Sequence, residues 1–153
     1  MKKFTFSMMS ILNVNLTRKE VAEMELAAAR ALLAAEEMQL SKIEMLIVDT
    51  MEPEKMLKNN SGAYFIQREK YLRMLNDKKK NQVYRIRQAE AKTQSCAERL
   101  KDAMVEVKRM EKAREIEHTE WDLEFRREEQ KLNDEMGCQR ASRRMLEQMA
   151  FTN

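Results

Sequence analysis

The sequence predicts an all-α fold, a long antiparallel two-helix coiled coil (an αα-hairpin) whose second helix is longer than its first. The chain of 153 residues contains only one proline and two glycines, whereas average proteins carry roughly 5% Pro and 7% Gly. Strand-rich folds need many turn residues, so this scarcity excludes them. Disorder is the alternative, but a net charge of +3 with 43% hydrophobic residues favours helices with mixed charges.

The first helix is predicted to span residues 17–50. Thr17 and Glu20 have the spacing of a capping box, in which each side chain bonds the other residue's backbone N–H. Methionines within this span, such as Met24, Met38 and Met45, are expected to fill the seam between the helices. The two interleaved heptad sets that predict this seam are Leu26, Leu33, Leu40, Ile47 and Ala22, Ala29, Glu36, Ile43.

A single loop is predicted at residues 51–62, where Pro53 is followed by Asn59, Asn60, Ser61 and Gly62. Because this is the only cluster of helix breakers, the chain is expected to reverse once. The second helix is predicted over residues 63–149, with its continuity through Gly137 left open. The whole of 1–153 is expected to form a single coiled-coil domain.

The unequal helix lengths predict a C-terminal overhang. If the chain folds about the loop, about fifty C-terminal residues extend past the first helix, unless residues 1–16 are helical too. The role of residues 1–16 is left open, since they lack the apolar core and cleavage site of a signal peptide. An apolar stripe of Trp121, Phe125 and Leu132 on the overhang would lack an intramolecular partner, and exposed apolar stripes usually mark interfaces.

The sequence contains no motif for catalysis, cofactor binding or metal binding. His118 is the single histidine, and a two-helix coiled coil offers no pocket in which it could hold a small-molecule substrate. With two glycines no phosphate-binding loop is possible. Cys96 and Cys138 lie far apart and are expected to be reduced thiols. The sequence contains no run of 18 apolar residues, so it predicts no membrane-spanning helix. We therefore expect a cytoplasmic protein that is not an enzyme.

Charge is segregated along the second helix. Residues 61–101 contain eleven bases and four acids, a net of +7, and residues 106–135 contain seven bases and eleven acids, a net of −4. The basic block 68–101 could bind RNA phosphates, but acids alternate with its bases and aromatic residues are sparse. A solvated helix face is the favoured interpretation, and nucleic acid is not the expected partner.

Two local motifs resemble those of a known family. Residues 71–75 (Tyr-Leu-Arg-Met-Leu) resemble the aromatic–aliphatic element that follows the loop in the type III secretion stalk proteins, which comprise flagellar FliJ and its injectisome counterparts of the YscO kind. Residues 129–135 (Glu-Gln-Lys-Leu-Asn-Asp-Glu), followed by 139–142 (Gln-Arg-Ala-Ser), resemble the C-terminal motif of the same family. The spacing between these last two elements is one residue longer here.

The resemblance implies a central stalk that inserts into a hexameric secretion ATPase, promotes its assembly and activity, and links it to the cytoplasmic domain of the export gate. Secretion chaperones are possible further partners, and the implied location is cytoplasmic, peripheral to the inner-membrane export apparatus. The looser motifs favour an injectisome slightly over a flagellum. The implied gate contacts are Tyr71, Leu72 and Leu75, and the implied ATPase contacts are Trp121, Phe125, Gln130, Lys131, Asp134 and Glu135. The alternatives are an RNA-binding coiled coil and a coiled-coil scaffold that self-associates through its exposed seam.

Overall fold

Three helices account for nearly the whole of the computed structural model, which describes residues 3–58 and 61–151, without the side chains of 55–57. Helix α1 spans Met9–Thr50, α2 spans Pro53–Lys58 and α3 spans Gly62–Phe151. Of the described residues 94% are helical, the two long helices pack against each other, and the same residues contain no strand. The predicted all-α hairpin is confirmed.

Helix α1 begins at Met9 and not at Thr17, so Thr17 lies inside the helix. The predicted capping box is therefore wrong as a start signal. No proline or glycine precedes Thr17 to stop the helix, and burial of Leu12 (3% exposed) stabilises the additional turns. The backbone N–H of Leu12 already donates to the carbonyl of Met8 at 3.1 Å.

The predicted loop contains a helix of its own, α2, which starts at Pro53. Proline suits the first position of a helix because its fixed φ is already helical and its missing N–H is not needed there. Asn59 and Asn60 lie outside the described residues. Ser61 precedes α3, and its hydroxyl accepts from the Tyr64 N–H at 3.3 Å, as an N-cap residue does. Helix α3 continues through Gly137, which settles the question left open by the sequence.

The contacts within the chain group its residues into two compact units. The first, which we call the hairpin unit, comprises Asn15–Val105. Its core is a cluster of Leu26, Ala29 and Cys96, against which Ala97 and Leu100 pack. Small side chains at these positions let the two helices approach closely. This core uses the heptad positions of α1 that the sequence identified.

A polar layer interrupts the apolar seam of the hairpin unit. Gln82, which is 6% exposed, donates from Nε2 to the backbone carbonyl of Glu36 at 2.9 Å and also to the Glu36 carboxylate. The amide, which belongs to α3, thus lies opposite Glu36, the one acidic seam position of α1, and a buried polar group needs such a partner.

The second unit, which we call the terminal unit, comprises Met1–Val14 and Glu106–Asn153. Its buried apolar side chains are Phe6, Leu12 and Val107. It therefore joins the N-terminal segment of the chain with the C-terminal part of α3.

The methionines of α1 do not fill the seam. Met24, Met38 and Met45 are 71%, 62% and 69% exposed, so this prediction is wrong. Met24 precedes the buried Leu26 by two positions, which rotates it about 200° from that residue. These side chains accordingly lie on the side of α1 that faces away from α3.

Candidate functional site

An aromatic cluster in the terminal unit joins the N-terminal segment to α3. The ring of Phe4 lies edge-on to His118, with centroids 4.9 Å apart, and tilted against Trp121 at 5.9 Å. Trp121 in turn stacks on Phe125, with centroids 5.2 Å apart and an interplanar angle of 26°. Aromatic pairs in such geometries contribute about 0.5–1.5 kcal/mol each beyond their buried area. Phe4 therefore supplies Trp121 with an intramolecular partner.

A carboxylate of α3 fixes the same N-terminal segment. The backbone N–H of Ser7 donates to Glu117 Oε2 at 3.1 Å, and the Ser7 hydroxyl donates to the other carboxylate oxygen. These two hydrogen bonds stabilise the ionised form and lower the pKa of Glu117 below its ordinary value. Helix α1 begins two residues later, at Met9, and its positive N-terminal end also favours a nearby carboxylate.

The expected overhang is much shorter than the sequence indicated. Trp121 and Phe125 are half-buried, whereas every described residue from Arg126 to Phe151 is exposed. We call residues 126–151 the C-terminal tail, which is still helical throughout and about 39 Å long at 1.5 Å per residue. The prediction that Trp121 and Phe125 lack a partner in the chain is wrong, because residues 3–16 include the start of α1 and pack on α3 through Phe4 and Ser7.

The C-terminal tail carries four of the six residues implied as ATPase contacts. Gln130, Lys131, Asp134 and Glu135 are all exposed. None of them forms an ion pair or side-chain hydrogen bond within the part of the chain that the structure describes. Their polar groups are thus available to another molecule.

An apolar stripe also follows the tail. Leu132 is 54% exposed and Leu146 is 67% exposed, and the two lie two heptads apart. Met136, four residues after Leu132, is 50% exposed and lies on the same side of the helix. The stripe therefore continues the side that carries Trp121 and Phe125 into the exposed segment.

The three residues implied as gate contacts differ sharply in exposure. Tyr71 is 39% exposed and Leu75 only 2% exposed, while Leu72 is half-buried. Tyr71 is accessible to a partner, and Leu75 belongs to the packing of the hairpin unit. The role of all three in gate binding stays a prediction, and for Leu75 the structure supplies a packing role as well.

A shallow groove at the start of α3 was missed by sequence reasoning. It is lined by Phe65, Ile66, Glu69, Lys70 and Arg73. Phe65 and Ile66 are 43% and 59% exposed, and Arg73 pairs with Glu69 at 3.3 Å. The signal in the sequence was Ile66, an isoleucine outside both heptad sets, one position after Phe65.

The basic block of α3 is partly neutralised by α1 within the hairpin unit. Lys79 pairs with Glu44 at 3.2 Å, and Arg99 pairs with Glu25 at 3.6 Å. A shallow groove lined by Asn76, Lys79, Lys80, Val83 and Arg87 retains exposed positive charge. These ion pairs connect bases of α3 with acids of α1. They favour the interpretation that the basic block is an ordinary solvated helix face.

In the described residues, side chains that could act as metal ligands do not lie together. No group of three or more His, Cys, Asp or Glu side chains in residues 3–58 and 61–151 could hold a metal ion. His118 lies on the surface, edge-on to Phe4. Among the same residues, none of the helices combines the length and the apolar composition that crossing a membrane requires.

A comparison with family models decides between the possible families. The model described as flagellar FliJ protein matches residues 4–146, which is most of the chain. The chain belongs to the FliJ family. The match includes residues 71–75, the aromatic cluster and residues 129–135. No curated protein and no solved structure matches the chain.

Membership of the FliJ family defines the general role of the chain. FliJ proteins are non-catalytic stalk components of the flagellar and type III export apparatus. The protein is accordingly a helical, coiled-coil component of a protein-export machine. The two motifs from which we inferred the resemblance both lie within the matched range.

Proposed function

We propose that this FliJ-family chain is the central stalk of an export apparatus in the cytoplasm, at the inner membrane, and that its C-terminal tail inserts into the hexameric export ATPase. The observation that carries the proposal is the tail itself. Residues 126–151 form a continuous helix in which every described residue is exposed, with polar and apolar groups that nothing in the terminal unit covers. Such a surface is typical of an interface.

The physics of a single helix in a ring of six subunits explains how insertion promotes ATPase assembly. One asymmetric helix cannot make identical contacts with six identical subunits, so it binds through scattered polar groups and a few apolar anchors. A ligand that binds the assembled ring more tightly than the free subunits shifts the equilibrium toward the ring. The stalk then raises ATPase activity by raising the population of assembled rings.

The ATPase proposal is tested by replacing Gln130, Lys131, Asp134 and Glu135 together by Ala. All four are exposed, so the variant is expected to keep its helicity by circular dichroism and to lose most of its stimulation of the ATPase. A matched control replaces four exposed residues of the same chemical types in the hairpin unit, which are Glu90, Lys92, Gln94 and Glu98. Full stimulation by the tail variant, or equal loss in the control, would refute the assignment.

We further propose that Tyr71 contacts the cytoplasmic domain of the export gate, with Leu72 beside it. Tyr71→Ala removes an exposed side chain and should reduce gate binding in a pull-down without changing thermal stability. Tyr84, which is 63% exposed, provides the control, since Tyr84→Ala removes the same side chain elsewhere on α3. If both variants bind the gate like the wild type, Tyr71 is not a contact.

The matching family model is flagellar, which favours flagellar export over the injectisome that the motifs slightly favoured. A flagellar stalk predicts that deletion of the gene abolishes swimming motility and that the intact chain restores it. Handling of secretion chaperones belongs to the same proposal. Retention of a chaperone on the immobilised chain, measured with purified components, tests it.

RNA binding is the second candidate, because Lys80 and Arg87 lie on an exposed groove and form no ion pair among the described residues. Phosphate contacts release counterions, so RNA affinity should fall steeply between low and physiological salt. Fluorescence anisotropy with a short RNA measures this. Lys80→Glu with Arg87→Glu should abolish any such binding and leave ATPase stimulation intact.

A further inference from the structure

The side of α1 that faces away from α3 is apolar over a long stretch. Met24 and Met38 are 71% and 62% exposed, and the alanines between them on the same side are exposed as well. No charged residue lies on this side between Met24 and Met38. We call this surface the outer face of α1, and its members are Met24, Ala27, Ala28, Ala31, Ala34, Ala35 and Met38. All of them belong to the hairpin unit.

The outer face is a palindrome about Ala31. Residues at equal distances before and after Ala31 are identical in type along the whole face. The equivalent pairs are Met24 with Met38, Ala27 with Ala35, and Ala28 with Ala34. The two ends of the face carry opposite charges, because Glu20 lies eleven residues before Ala31 and Lys42 lies eleven residues after it. Both end residues are exposed and form no ion pair within the described residues.

A palindromic face with opposite charges at its ends is complementary to itself in the antiparallel direction. In a twofold contact, residue i of one copy meets residue j of the other, and j meets i. With the axis at Ala31, methionine meets methionine, alanine meets alanine, and Glu20 meets Lys42 of the other copy at both ends. A parallel arrangement would instead place like charges opposite each other.

We infer that the outer face of α1 binds a second copy of this chain, antiparallel and with the twofold axis at Ala31. Alanines let two helix axes approach to about 8 Å, the short end of the usual range, and the flexible methionines close the ends of the contact. Alanine contributes little area per residue, so the contact is small compared with the roughly 1,000 Å² expected of a stable specific interface. The pairing is therefore weak and depends on protein concentration.

Cysteine cross-linking tests the register. In a background with Cys138→Ser, which leaves only the buried Cys96, Ala31→Cys should cross-link to itself under mild oxidation. A mixture of Ala27→Cys and Ala35→Cys should cross-link between the two variants and much less within either. Ala91→Cys, at an exposed alanine of α3, is the control and should not exceed the background. Cross-linking of Ala27→Cys to itself at the rate of the mixture would overturn the antiparallel arrangement.

Charge reversal tests the end contacts by sedimentation. Glu20→Lys turns two attractive contacts of the dimer into repulsive ones, and so does Lys42→Glu. Each should raise the dimer dissociation constant about tenfold, because exposed ion pairs are individually weak but two of them reverse at once. The double variant Glu20→Lys with Lys42→Glu should regain wild-type pairing. Because both positions are exposed, circular dichroism should show no loss of helix.

Alternatives to this antiparallel dimer on the outer face of α1 predict different results in the same experiments. A chain that sediments as a monomer at every concentration refutes the inference, and so does a double variant that pairs no better than the singles. Dimerisation that Ala31→Glu leaves intact but removal of the C-terminal tail abolishes would assign the contact to the tail. Stimulation of the ATPase by the Glu20→Lys variant at the wild-type level is expected, so the proposed stalk function and this pairing stand or fall separately.

Discussion

Replacing Leu75 by Ala separates packing from partner binding at the site implied for the export gate. Leu75 is 2% exposed, so the change removes three buried carbon atoms at about 0.8 kcal/mol each, or about 2.4 kcal/mol. A cavity adds to this loss, but two helices without other layers can close up, which limits the addition. We therefore expect a loss of about 2–3 kcal/mol in the free energy of unfolding.

Chemical denaturation monitored by circular dichroism at 222 nm measures this loss, with thermal unfolding as a second readout. At about 2–4 °C per kcal/mol for a chain of this size, the midpoint should fall by about 5–10 °C. Leu132→Ala is the matched control, because Leu132 is 54% exposed and its loss should cost less than about 0.5 kcal/mol. Equal stabilities for the two variants would refute the assignment of Leu75 to the packed seam.

Three further predictions concern polar and backbone features. Gln82→Ala should destabilise the chain by about 1–2 kcal/mol in denaturation, because it removes the hydrogen bonds from a buried amide to the carbonyl and the carboxylate of Glu36. Ser7→Ala removes one of the two hydrogen bonds that lower the pKa of Glu117, so NMR titration should find that pKa nearer its ordinary value. In the wild type, the stability contributed by the Ser7–Glu117 contact is fully present above the ordinary pKa of glutamate. It is lost as the pH falls through the lowered pKa of Glu117. Gly137→Ala should stabilise α3 by about 0.5–1 kcal/mol, seen as increased ellipticity, because an added Cβ meets nothing within 4 Å.

Heptad periodicity identified both long helices and most of their packing, because burial of an apolar stripe repeats at every second turn. Leu26, Ala29 and Cys96 form the core cluster at heptad positions. The start of α1 escaped prediction for a physical reason. A capping box is a local signal, and threonine and glutamate are also tolerated inside a helix, so burial of Leu12 determined where the helix extends.

The contacts of the N-terminal segment were beyond sequence reasoning. Phe4 meets His118 and Ser7 meets Glu117 across more than a hundred residues of chain. Periodicity shows which side of each helix is apolar, but it does not fix the point along α3 that residues before α1 reach. The outer methionines were misassigned because composition alone suggested seam filling, whereas their phase relative to Leu26 places them on the opposite side.

The position of Phe4 changes what a substitution of Trp121 would reveal. Because Trp121 contacts both Phe4 and Phe125, replacing it by Ala loosens the N-terminal segment as well as any contact with the ATPase. A loss of stimulation in that variant would have two explanations. The tail residues Gln130, Lys131, Asp134 and Glu135 have no such intramolecular role in the described chain. Phe4→Ala separates the two explanations, because it loosens the N-terminal segment and leaves Trp121 in place. If stimulation survives Phe4→Ala and is lost in the tail variant, ATPase binding lies in the tail, and a loss in Trp121→Ala then reports a direct contact of Trp121 with the ATPase. If Phe4→Ala also loses stimulation, the loss in Trp121→Ala follows from the loosened N-terminal segment.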